Sequence, residues 1–118
     1  MAPGPLWHRT RAFAIDVLKF IDSLPPSRAG RVIGWQLGRA GSAVGANYRR
    51  SCRAQSTRDF LSKLKVVEEE CDESAFWLDL CGELGLGDSH QADCLATEAG
   101  EITAMLVSSI KTLRSKTS

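Results

Sequence analysis

Arginine dominates the side chains of this sequence that could do chemistry. One line runs Arg28, Trp35, Arg39, Ser42, Ala46, Arg49 and Arg53, at steps of 7, 4, 3, 4, 3 and 4; Arg31, Arg50 and Arg58 widen it. Such steps put residues on one helix face. A guanidinium is a planar fork suited to bidentate pairing with phosphate or carboxylate. A tryptophan exposed in that stripe can stack on a nucleobase. A second line holds Lys63, Val66, Glu70, Glu73, Trp77, Leu80 and Leu84, with Glu68, Glu69 and Asp72 beside it. Three uses are open. Both lines are solvated faces; or the arginine line of one subunit docks on the acidic line of the next, with Trp35 and Trp77 as anchors; or Arg39, Arg49, Arg50, Arg53 and Arg58 bind nucleic acid phosphates. The docking contact joins two different surfaces, so it must close into a ring or run on as a filament.

Enzymatic constellations are missing. The only histidines are His8 and His90, and the residues three before them are Pro5 and Gly87, so no Glu-x-x-His pair exists for a di-iron bundle site. Both histidines read as solvated. Zinc spacing is absent, since the cysteines at 52, 71, 81 and 94 form no C-x-x-C pair. Cys71 and Cys81 fall on an apolar line and behave as small hydrophobes. Cys52 abuts Arg49, Arg50 and Arg53, a setting that lowers a thiol pKa, but no base is positioned beside it. No glycine loop is followed by G-K-[ST], so no phosphate cradle of that kind is expected. The expectation is a protein with no catalytic residues, no metal and no cofactor.

The elements that carry these side chains must be helices. The chain has 118 residues, 43% apolar and 25% charged, which suits one globular domain over residues 1–118. Its net charge of +1 hides a basic half of +8 over residues 1–58 and an acidic half of −7 over 59–118. No stretch approaches the roughly 18–20 apolar residues of a membrane span. The run from Ala12 to Ile21 is broken by Asp16 and Lys19 and makes a poor signal peptide. A cytoplasmic protein with reduced thiols and no membrane contact is expected.

Met1 to Pro5 reads as a frayed end, and Leu24-Pro25-Pro26-Ser27 must stop a helix. Ser56 can cap a new one, with Asp59 in a capping-box position. Gly85 to Asp88 is a stop and restart, with Asp88 and Gln91 as the next cap. Between these marks four near-3.5 repeats appear. Helix 1, about 7–23, has Phe13, Val17, Phe20 and Leu24. Helix 2, about 27–53, has Ile33, Leu37, Ala40, Val44, Asn47 and Ser51. Helix 3, about 57–84, has Phe60, Leu64, Val67, Cys71, Ser74, Leu78 and Cys81. Helix 4, about 89–114, has Leu95, Ala99, Ile102, Leu106, Ser109 and Leu113. Short connections predict an all-α, antiparallel up-down-up-down four-helix bundle.

Helix 2 also carries Gly34, Gly38, Gly41 and Gly45 at steps of 4, 3 and 4. A glycine inside a helix costs about 1 kcal/mol against alanine, so the line implies close approach by another helix. That helix belongs either to the same bundle or, with Gly38, Gly41 and Gly45 as interface residues, to a neighbouring subunit.

The segment QLGRAGSAVGANYRRSCRAQSTRDFLSKLKVVEEECDESAFWLDL resembles a bacterial four-helix-bundle family first found encoded in intervening sequences of large-subunit ribosomal RNA genes. The matching positions are Gln36, Leu37, Arg39, Ala40, Ser42 or Ala43, Val44, Ala46 and Asn47 on helix 2. They continue through Ser56, Asp59 and Phe60 to Asp72, Glu73, Ser74, Trp77 and Leu78 on helix 3. The resemblance spans residues 12–84; helix 4 agrees only in character. It implies a bundle that assembles as a homopentameric ring. The chain is also similar to the bundle accessory proteins of reverse transcriptases in diversity-generating retroelements, which implies binding to RNA or DNA and to a polymerase. The acid that commonly follows the family's asparagine is replaced here by Arg49, Arg50 and Ser51. The local surface is therefore more basic than the family pattern. The expected function is a non-enzymatic, ring-forming adaptor for structured RNA or DNA. The rival is a protein–protein scaffold without nucleic acid contact.

Overall fold

The computed structural model describes residues 4–117, the last by its backbone alone, and contains four helices: α1 (Pro5–Asp22), α2 (Arg28–Ser51), α3 (Thr57–Leu84) and α4 (Ser89–Thr117). Their ends follow local chemistry. Pro5 opens α1 at a position whose N–H has no helical acceptor, so proline costs nothing there. The helix thus begins two residues before the expected start at about 7. Of the stretch expected to fray, Met1 to Pro3 lies outside the described residues. Ser27 starts α2 by accepting the Gly30 N–H at 3.0 Å. α2 stops at Ser51, so Cys52 and Arg53 belong to the connection and not to the helix as expected. Ser56 accepts the Asp59 N–H at 3.0 Å, while the Asp59 carboxylate takes the Gln55 N–H at 3.1 Å. The reciprocal cap therefore reaches one residue further back than a capping box. Gly85 and Gly87 hold φ of 65° and 72°, where side chains are strained, and Asp88 Oδ1 accepts the Gln91 N–H at 2.9 Å. α4 runs three residues past its expected end, with Arg114 and Lys116 in the last turn, where cations meet the helix dipole favourably.

Each helix packs on its sequence neighbours, and α1 also meets α4, which closes an antiparallel square of 48 × 21 × 20 Å. Phe13, Val17, Leu37, Val67, Leu78 and Ile102 stand at its centre, each at most 1% exposed. Buried hydroxyls bond their own helix: Thr10 donates to the Leu6 carbonyl at 2.7 Å and Ser74 to that of Glu70 at 2.8 Å. Arg9 ties α1 to α4 with a two-pronged contact to Glu98, Nε–Oε2 at 2.9 Å and Nη2–Oε1 at 2.5 Å.

The glycine line of α2 lies against α1 of the same chain. A Cβ at Gly41 would stand 2.6 Å from Val17 Cγ1, and one at Gly45 3.2 Å from Ala14 Cβ and from the Thr10 carbonyl oxygen. At Gly38 it would meet Ile21 Cδ1 at 2.9 Å. The three glycines are therefore the seam on which α1 rides. Gly30, outside that line, is the tightest of all: its Cβ would sit 2.2 Å from the Pro25 carbonyl oxygen. Gly100 has open space around it in mid-α4. Two alanine substitutions should thus move stability in opposite directions. Gly41→Ala lowers unfolding free energy by about 1–3 kcal/mol through overpacking. Gly100→Ala raises it by about 1 kcal/mol through helix propensity. Chemical denaturation of both variants checks the pair of signs.

Candidate nucleic-acid interface

The arginine line divides in two when folded. Arg39, at mid-height on α2, reaches across to α3. There Nη1 stands 3.3 Å from Glu70 Oε2, and Nη2 donates to Glu73 Oε2. Trp77 Nε1–H donates to the same Glu73 oxygen at 3.0 Å. The Arg39 and Trp77 bonds hold the Glu73 carboxyl below its usual range. Burial pushes that of Glu70 up against the opposing pull of Arg39. The acidic line is thus met by an arginine of its own chain, and Arg39 is committed to the α2–α3 contact. Arg39→Glu should lower the melting temperature, and adding Glu73→Arg should recover part of the loss. Equal melting of the single variant and the wild type would show that the bridge contributes nothing.

Arg49, Arg50, Arg53 and Arg58 behave differently. They gather at the end of the bundle where α2 stops and α3 starts. The same end receives the start of α1 and the finish of α4, because Leu6, Tyr48, Phe60, Leu64, Thr112 and Leu113 line one cleft there. Arg11 and Lys111 join them on those helices. Over residues 4–13, 42–66 and 106–117 the one acid is Asp59, and Lys63 Nζ holds its Oδ1 at 2.5 Å. Lys63 and the Gln55 N–H keep the Asp59 carboxyl below its usual range. Among the described residues Arg11, Arg49, Arg53 and Arg58 have no ion pair, and Arg50 has only Asn47 Oδ1 at 3.4 Å. Solvated, unpaired guanidinium groups on a closed end surface form a ready site for phosphate oxygens.

The opposite end is acidic. Asp16, Asp22, Asp79, Glu83, Asp88 and Asp93 stand near the ends of α1 and α3, at the turn before α4 and at its start, and they outnumber Lys19, Arg28 and Arg31 there. That end is fixed by Gly87, whose Cβ position lies 3.0 Å from Leu24 and 3.1 Å from Phe20. Trp35 stands toward it, 75% exposed, over an apolar groove of about 640 Å³ lined by Leu18, Ile21, Leu24, Pro25 and Gly38. Trp35 and Arg49 are fourteen residues apart on α2, about 21 Å at the helical rise. The exposed tryptophan of the stripe therefore shares its groove with Arg31 and lies far from Arg49, Arg53 and Arg58. Trp77 is half-buried, edge-on to Phe76 with ring centroids 5.0 Å apart.

Two features went unread in the sequence. Trp7, to which the sequence assigned no role, lines a cleft with Tyr48, Cys52 and Phe60 at the basic end. Burial and the neighbouring Cys52 raise the Tyr48 phenol. On α4, Cys94 Sγ lies 3.6 Å from His90 Nε2, both exposed, at an i, i+4 spacing the sequence already displays. Cys71 and Cys81 are buried, and burial pushes the Cys71 thiol up to about 12 and that of Cys81 up as well, so neither is a thiolate at neutral pH. No group of three or more His, Cys, Asp or Glu that could hold a metal ion occurs among the described residues, and none of their helices is long and apolar enough to cross a membrane.

The model of a family described as 23S rRNA-intervening sequence protein matches residues 5–108. The crystal structure of a protein of unknown function from the S23 ribosomal protein family of Bacteroides thetaiotaomicron superposes with a TM-score of 0.84. It is 28% identical, and the match covers 90% of this chain and 98% of that one. No curated protein matches.

Proposed function

This chain belongs to the 23S rRNA-intervening sequence protein family, and from that premise we propose that it is a non-enzymatic adaptor whose basic end binds the phosphates of structured RNA or DNA. The observation that carries the reading is the end surface itself: Arg11, Arg49, Arg53 and Arg58 without a carboxylate partner, beside an acid that Lys63 already holds. Among the described residues, folding gathers these charges where Asp59 is the one nearby carboxylate and Lys63 holds it, which is the electrostatic footprint of a polyanion site. One protomer offers few contacts. A homo-oligomeric ring, of about five copies as the family resemblance implies, multiplies them on one assembly and raises avidity without new chemistry. A reverse transcriptase or another nucleic acid–handling protein is a partner that this role accommodates.

The groove under Trp35 supports a second reading, a scaffold that binds only protein, since a large exposed tryptophan beside apolar walls is the usual anchor of a protein contact. Binding of a labelled structured RNA at about 50 and 200 mM salt separates the two. An adaptor for nucleic acid binds steeply more weakly at the higher salt. A scaffold retains no RNA at either.

A further inference from the structure

Resting on the phosphate-binding reading, we infer that the cleft between Trp7, Tyr48 and Phe60 takes an unpaired nucleobase, so that the protein prefers single-stranded or looped nucleic acid to a blunt duplex. The cleft measures about 540 Å³ and opens at the basic end. Its aromatic walls come from three elements: Trp7 from the first turns of α1, Tyr48 from the last turn of α2 and Phe60 from the first turn of α3. All three rings are only half-buried. Tyr48 and Phe60 pack their inner edges on the core and leave the rest of each ring toward the opening.

Polar groups stand at the same opening. Gln55 and Thr57 line the cleft, and neither the side-chain amide of Gln55 nor the Thr57 hydroxyl is bonded by another side chain among the described residues. An amide offers both a donor and an acceptor to a base edge. The rim is cationic. Arg53 lies between the lining residues Cys52 and Ala54, and Arg58 follows the lining residue Thr57. Trp7 also belongs to a second cleft on its other side, which it shares with Arg11 and Arg49. A stacking surface between two sets of unpaired guanidinium groups matches a nucleotide, whose base is apolar on its faces and whose phosphate is anionic. An apolar peptide would fill the cleft and leave those cations unmatched. In a duplex the bases are stacked on each other and cannot enter; in a loop or single strand they can.

The test compares a fluorescently labelled single-stranded RNA of about 12 nucleotides with a blunt RNA duplex carrying the same number of phosphates. The wild type should prefer the single strand by about tenfold, the worth of one base–aromatic stack. Trp7→Ala should lose that preference while its duplex affinity stays within about twofold. Trp7→Phe, which keeps a stacking ring, should retain most of it, and circular dichroism confirms that both variants fold. In a Trp35→Phe, Trp77→Phe background the remaining Trp7 emission should be quenched by single strand and not by duplex. Equal wild-type affinity for the two RNAs, or an equal loss of both in Trp7→Ala, overturns the base cleft and leaves the phosphate reading standing. A wild type that binds neither RNA overturns both.

Discussion

Arg49→Ala, Arg50→Ala and Arg53→Ala, combined in one chain, are expected to remove most nucleic acid affinity without unfolding the bundle. None of the three is buried, and none takes part in an ion pair, so the fold has little to lose. Each phosphate contact adds about 0.9 to the slope of log K against log salt on a duplex and about 0.7 on a single strand. Losing three contacts per bound protomer should flatten the slope by about two to three. Between 50 and 200 mM salt, that is a difference of roughly twentyfold to fortyfold in how far affinity falls. The measurement is an anisotropy titration at several salt concentrations, with molar mass by light scattering on the same samples. An unchanged slope in a variant of unchanged mass would remove these arginines from the phosphate surface.

Trp35→Glu is expected to break the assembly and spare the protomer. The indole is 75% exposed and outside the core, so the helix loses no buried contact. In the proposed ring the same indole is an anchor above the groove of Leu18, Ile21 and Leu24. Truncating such an anchor costs about 2 kcal/mol or more at each interface, about thirtyfold in affinity, and a buried carboxylate adds to that cost. Light scattering after size exclusion should give about five times the 12.9 kDa protomer for the wild type and one protomer for Trp35→Glu. A wild type that runs as a monomer at micromolar concentration contradicts the ring. If Trp35→Glu keeps the wild-type mass, the interface lies elsewhere.

The helices were legible because their seams and stops are local. Val17, Leu37, Val67 and Ile102 are buried where the spacing puts them, and Ser27, Ser56 and Asp88 cap where their side chains suggest. The repeat drifted late in α4. The expected seam passes through Ser109 and Leu113, but Ile110 is the buried residue there and the other two are half-buried. A straight helix turns every 3.6 residues, so a 3.5 step loses the buried face after several turns. The lateral partners of Arg39 were not legible, because they depend on the register between α2 and α3, which no local signal sets. Nor was the polarity of the surface. Counted along the chain, the charge splits into a basic half and an acidic half, which suggests two opposed faces. Folding alternates helix direction, so the basic finish of α2 meets the acid-free finish of α4 and start of α1. The asymmetry then runs along the 48 Å axis, from a basic end to an acidic one. Trp7 escaped notice for a related reason: only the closed bundle puts it beside Tyr48 and Phe60.

That axial polarity is the central claim, and the two exposed thiols report on it directly. Cys52 lies in the cleft at the basic end, and Cys94 lies at the other end beside Asp16 and His90. The buried Cys71 and Cys81 thiols stay protonated and do not compete for a thiol reagent. A photo-crosslinker is attached to Cys52 in a Cys94→Ser chain, and to Cys94 in a Cys52→Ser chain. Each is then irradiated with labelled structured RNA at about 50 mM salt, where phosphate contacts are strongest. The account predicts efficient RNA crosslinking from Cys52, lost at high salt, and little from Cys94. Crosslinking from Cys94 that equals or exceeds that from Cys52, or no crosslink from either, contradicts it.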